Sequence, residues 1–227
     1  MLIDRRVLIL SSAALALSGS TVWAEDKEKD MPCDKLFMFL RNYLELPAAD
    51  RTHFKLAYRL SVTGAALSDV KLLLKHNGQT QSLAIAPDGL VTPPSLAALK
   101  AHAPIEFSMP KGTKLSLTFS IAGSLPNATN YAAADLKKSV DQARAGAKKA
   151  AGIAAMAVPN FDRIIFSHTG SGQVVLADGK TQALPMMPKN KSWPAAPYFA
   201  PVMWPTAVRV TLDKAPSQLS IGDKPKS

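Results

Sequence analysis

From His53 the chain alternates: Phe54, Leu56, Tyr58, Leu60 and Val62 are apolar, and Lys55, Ala57, Arg59 and Ser61 stand between them. A period of two predicts a strand with one face in the core. Residues 70–74 and 81–86 predict two more, joined by His76-Asn77-Gly78-Gln79. Asn-Gly is the strongest short hairpin signal, because both central residues of such turns need positive φ. Residues 105–109 and 114–121 read as a second hairpin around Pro110-Lys111-Gly112-Thr113. Two stretches carry the helical period instead. In residues 33–46, Leu36, Phe37, Leu40, Tyr43 and Leu44 recur at three- and four-residue spacing, and Pro47 closes the run. In residues 134–157 a narrow stripe holds Leu136, Val140, Ala143, Ala147, Ala150, Ile153 and Met156, with lysines mainly off it. Gly146 and Gly152 weaken that helix.

After Pro159 a familiar order returns. Residues 163–168 end in a histidine, as residues 71–76 do, and each run leads into a Gly- and Gln-containing turn, a strand and an Asp-Gly pair. Val208-Arg209-Val210-Thr211-Leu212 echoes the stretch from Ile105 to Met109, and Leu219-Ser220-Ile221 echoes Leu115-Ser116-Leu117. The pattern predicts an internal duplication: two units of helix plus two hairpins, 90 to 100 residues apart. The expected fold is α+β, mainly antiparallel, with two similar β-rich lobes joined by the long helix. The units are drawn at residues 25–130 and 131–227.

The first 24 residues stand outside this plan. Arg5 and Arg6 precede an apolar run from Val7 to Leu17, and Val22-Trp23-Ala24 precedes the charged Glu25-Asp26-Lys27. A basic start, a short apolar stretch and small residues before a cut define a secretory signal, with cleavage after Ala24. The run is too short for a span of about 20 residues. Arg5-Arg6-Val7-Leu8-Ile9 also resembles a twin-arginine signal. The expected location is therefore a bacterial periplasm. Cys33 is the only cysteine, which excludes an internal disulfide, and Asp30-Met31-Pro32 before it does not suit a lipid-anchored signal.

Cleavage leaves 203 of 227 residues and takes two arginines and one aspartate away, so the net charge falls from +10 to +9. The basic residues are dispersed rather than gathered on one face with aromatic platforms, so nucleic acid is not an expected partner. The long helix lacks the large apolar residues that insert into lipid, so stable membrane insertion is not expected either.

Candidate chemistry is sparse. The histidines His53, His76, His102 and His168 lack metal-ligand spacing, and no metal or other cofactor is expected. The duplication places His76 and His168 at matching positions, which supplies one alternative: an unfamiliar enzyme using that pair. Asp69, Asp88, Glu106, Asp162 and Asp178 are candidates for a carboxylate pair, with nothing to select two of them. Residues 184–205 are the unusual segment. Six prolines there hold Trp193, Tyr198, Phe199, Met203 and Trp204 on a stiff backbone that cannot form a central strand. Long loops in compact domains tend to be functional. Trp193, Tyr198, Phe199 and Trp204 are therefore the expected contacts for an apolar or glycan ligand, or for an envelope protein partner, at the junction of the lobes. An envelope scaffold pairing through a sheet edge is the other non-enzymatic alternative. The polar tail 222–227 is expected to lie outside the folded core.

Overall fold

The computed structural model describes residues 20–23, 30–151, 156, 158–189 and 194–223. In chain order its strands and helices are β1 (Ser20–Trp23), β2 (Met31–Pro32), α1 (Cys33–Leu36), α2 (Leu40–Glu45), β3 (Phe54–Thr63), β4 (Lys71–His76), β5 (Gln79–Ser82), β6 (Leu90–Val91), α3 (Leu96–Lys100), β7 (Pro104–Ser108) and β8 (Lys114–Gly123). There follow β9 (Asn130–Ala132), α4 (Ala133–Ala151), β10 (Arg163–Ser167), β11 (Gly172–Leu176), β12 (Thr181–Ala183), β13 (Met186–Met187), β14 (Ala196–Phe199), β15 (Ala207–Leu212) and β16 (Gln218–Gly222). The fold is α+β, mainly antiparallel sheet with a few helices. None of the helices among the described residues is long and apolar enough to cross a membrane.

One large sheet runs β13-β14-β10-β16-β8-β3-β6, with β1 also on β8. Two four-stranded sheets flank it, ordered β2-β7-β4-β5 and β9-β15-β11-β12. Counted along each half of the chain from β2 and from β9, these two orders are 1-6-3-4 and 1-7-3-4, and they match once β13, the additional strand of the second half, is set aside. In the large sheet β6-β3-β8 is likewise met by β14-β10-β16, with Ala122 of β8 opposite Ser220 of β16. The apolar core is a single cluster extending from Cys33 to Ile221.

The two predicted hairpins nearest the ends of the halves are not hairpins. β7 pairs with β4 and β2, whereas β8 pairs along its whole length with β3. The turn at Pro110–Thr113 carries the chain across the core from one sheet to the other. The buried Thr113 hydroxyl donates to the Pro110 carbonyl at 2.6 Å and fixes that crossing. β15 and β16 part in the same way. The expected turn joins β4 and β5, with Asn77 and Gly78 at φ 52° and 72°, but the second strand is Gln79–Ser82 rather than residues 81–86, because pairing begins directly at His76 and Gln79. The first helix breaks in two at Phe39, which takes φ 64°. The cause is tertiary: the Tyr58 hydroxyl donates to the Met38 carbonyl at 2.6 Å, and the Phe37 ring packs edge-on against Tyr58.

Helix α4 buries Ala133, Leu136, Ser139, Val140, Ala143 and Gly146, touching β3 and β8 of the first half and β10, β15 and β16 of the second. It is described from Ala133 to Ala151, and Met156 is fully exposed. Gly152, Ile153 and residues 224–227 lie outside the described residues.

Burial pushes the Tyr58 phenol well above the usual tyrosine range, and the Tyr43 and Tyr131 phenols rise for the same reason. Unfolded tyrosines ionise near pH 10, while the folded chain keeps these protons. Stability is therefore fully present below about pH 10 and falls as pH rises through it, because the unfolded state loses protons first. Urea titrations at pH 8 and 11 should show that fall, and Tyr58→Phe should flatten it at a cost of about 1 kcal/mol at neutral pH. An equal slope in the variant would mean that the phenol is not held neutral.

Candidate functional site

The described parts of segment 184–205 are woven into the fold rather than looped over it. β14 pairs with β10, with Ile164 opposite Phe199, and β13 pairs outside β14 with Met186 opposite Pro197. Proline at that position is tolerated because the strands lie at the sheet margin. Phe199 is 1% exposed and Trp204 8%, and their rings stack at 5.8 Å and 7°. The Trp204 indole N–H donates to Gln182 Oε1 of β12 at 2.8 Å, so its polar edge is satisfied from the neighbouring sheet. Tyr198 is half-buried. Trp193 lies outside the described residues.

Beside Tyr198 sits a cation. Arg163 is buried, and its guanidinium lies 4.5 Å from the Tyr198 ring centroid. Asp162 grips the same group with two oxygens, Nε at 2.7 Å and Nη2 at 3.0 Å. The Asp162 carboxylate holds the Arg163 pKa above its ordinary value. A carboxylate on the fork and an aromatic ring on its face leave this arginine fully partnered. It anchors β10 to β14 and offers no charge for an incoming anion.

Outward from this base stand several exposed apolar side chains. A single 3-10 turn, Pro201–Met203, puts Val202 and Met203 80% and 50% into solvent. Met186 of β13 is also exposed, as is Val208 just beyond the turn in which the Ala207 N–H donates to the Trp204 carbonyl. The sequence pattern drew attention to Met203 alone of these four and placed none of them among the expected contacts, since aromatic side chains ranked first. Their only signal was position: Val202 and Met203 fall between two residues that the core claims.

The junction of the halves is packed. A Cβ on Gly123 would stand 3.2 Å from Leu219 Cβ, which measures how closely β8 and β16 approach. On one side Gln218 bridges the strands, accepting from Arg59 Nη2 and donating to Ser120 Oγ, each at 3.2 Å. Two hollows lie elsewhere. One is an apolar seam lined by Leu36, Leu60, Leu72, Phe107, Leu115 and Leu117, too tight for water. The other is an open depression of about 280 Å³ around the β4–β5 turn, formed by residues 75–80.

The histidines are distributed. His76 ends β4, opposite Gln79, while His168 follows β10 with φ 61° and is hydrogen-bonded through Nδ1 to Ser217 Oγ at 2.8 Å. Among the described residues no hydrogen bond or ion pair links them. His102 Nδ1 lies 2.9 Å from Asp34, and His53 Nδ1 lies 2.8 Å from the Thr52 hydroxyl. Four of the five candidate carboxylates face a base: Asp88 with Arg59, Glu106 with Lys75, Asp162 with Arg163 and Asp178 with Lys180. Arg59 and Lys180 hold the Asp88 and Asp178 carboxyls below the ordinary range. Asp69 is exposed at the end of a short 3-10 turn. Among the described residues no three His, Cys, Asp or Glu side chains gather as metal ligands. Cys33 is buried, with its thiol pKa raised by burial. Compared with known proteins, the chain matches no family model, no curated protein and no solved structure.

Proposed function

We propose that this is an exported envelope protein of the bacterial periplasm that performs no chemistry of its own and binds a protein partner through segment 184–205. Export rests on the pattern of residues 1–24. The strand orders of the two halves, which match once β1 and β13 are set aside, support an internal duplication, with β10 answering to β3 and the units meeting at β8 and β16. That alignment differs by one strand from the one suggested by the His, Gly and Asp-Gly landmarks.

The observation that carries the binding reading is the division within the segment. Phe199 and Trp204 are stacked in the core, while Val202 and Met203 between them stand in water. A one-turn helix anchored on a buried aromatic pair is a rigid mount for apolar side chains that the fold itself does not use. Rigid mounting lowers the ordering cost of association. A protein is favoured over a small apolar or glycan ligand because small-molecule sites are concave and enclosing. The described part of the segment offers a convex turn.

A photo-activatable residue at Val202 should cross-link in the intact envelope to one protein of defined mass, and one at Gln79 should not. Val202→Asp should weaken that association at least about tenfold, which is 1.4 kcal/mol, and leave the melting temperature unchanged because the side chain is 80% exposed. Equal labelling at both positions, or a small molecule carried in the native mass, would overturn the reading. The denatured mass of the same preparation tests cleavage after Ala24.

A further inference from the structure

We infer that removal of the leader opens a strand-addition slot on β8, and that the slot takes an extended segment of a partner protein with an apolar residue at every second position. The inference rests on the export reading for its trigger and on the topology for its geometry. β8 has ten residues and is paired with β3 from end to end. Its other side meets β16 only near Ala122, since β16 has five residues and ends at Gly222. The free half of that side, Leu115 to Thr118, is occupied by β1, with Ser20 opposite Thr118 and Trp23 opposite Leu115.

β1 ends one residue before the expected cut at Ala24. Cleavage there leaves the backbone groups of alternate residues in this stretch of β8, those that face away from β3, without a strand partner among the described residues, in the middle of a sheet. Such an edge is a template for another strand. Its floor is already apolar: Leu115 and Leu117 are each 4% exposed and line the tight seam with Leu36, Leu60, Leu72 and Phe107. In an antiparallel pair, directly opposed residues share a face. An incoming strand therefore places two side chains, those facing Leu115 and Leu117, over that seam, and the two between them on the other side. Lys111 and Lys114, both exposed, stand at the Leu115 end. They favour an acidic residue just past the strand, as Glu25 and Asp26 follow Trp23 in the chain's own sequence. In the unprocessed chain the leader closes the slot, so partner binding waits for export.

Hydrogen exchange of Leu115–Thr118 tests this, comparing the full-length chain with the processed chain recovered from the native envelope. The expected result is exchange at least about tenfold faster in the processed chain. Protection should be restored by a synthetic peptide of residues 19–26. It should not be restored by the same peptide carrying Val22→Pro and Thr21→Pro, because proline removes the donors a ladder needs. Equal exchange in the two chains, or equal rescue by the proline peptide, would overturn the slot. If the envelope protein retains residues 1–24, export with cleavage fails. The full-length Val22→Pro chain then supplies the opened form, and the slot is judged on it separately.

Discussion

Trp204→Ala should lower the unfolding free energy by about 3–5 kcal/mol, the usual cost of deleting a buried large aromatic. The indole is 8% exposed and lies flat on Phe199, itself 1% exposed, so truncation leaves a cavity that β14 cannot close while it stays paired with β10. Loss of the bond to Gln182 adds little, because Gln182 is on the exposed strand β12 and water replaces the indole. Val202→Ala, two residues away, should change stability by less than about 0.5 kcal/mol. Urea denaturation of the two variants decides the matter. A Trp204→Ala midpoint equal to wild type would return the ring to the surface, and with it the role of a direct contact.

The second large effect falls on a residue with no side chain. A Cβ on Gly146 would stand 2.5 Å from Phe54 Cζ, 2.9 Å from Cε1 and 3.3 Å from Leu46 Cδ1. The Phe54 ring cannot yield easily. It is 1% exposed and edge-packed on Tyr43, whose hydroxyl donates to the Phe54 carbonyl at 2.8 Å. Alanine brings a gain of about 1 kcal/mol in helix propensity, against an overpacking cost of about 1–3 kcal/mol. Gly146→Ala should therefore destabilise modestly, and Gly146→Val, larger and β-branched, by about 3 kcal/mol or more. Phe54→Leu combined with Gly146→Ala should cost less than the two single losses added, as coupled neighbours do. A stabilised Gly146→Ala chain would mean that α4 does not approach β3 as described.

Gly146 also marks where sequence reading reaches its limit. Along 134–157 the glycine reads as a weakness in the helix, because propensity is a local quantity. That the missing side chain makes room for Phe54 depends on a strand some ninety residues earlier. The same division holds elsewhere. The alternation from Phe54 to Val62 and the Asn77-Gly78 turn were legible, since face and turn type are written in neighbouring residues. The parting of β7 from β8 was not, because Pro110–Thr113 has the composition of a hairpin turn whether or not its strands pair. The break at Phe39 was hidden too, its cause being the Tyr58 hydroxyl twenty residues on. At the candidate site, prolines and aromatics mark residues 184–205 as unusual. Composition is silent on which way a ring turns, so the buried Phe199 and Trp204 outranked Val202 and Met203.

The ordering of the large sheet also sets a clock. β3 finds β8, and β10 finds β16, across gaps of more than fifty residues, so neither pair can zip from a local turn. Chains dominated by such distant pairings close slowly, on the order of milliseconds to seconds. At a synthesis rate of about 5–20 residues per second, the first half has no complete β3–β8 ladder until Gly123 has emerged. For several seconds the nascent chain holds β3 without its long partner, with local pairing such as the β4–β5 hairpin alone in place, and whatever meets it in that interval meets an incomplete sheet.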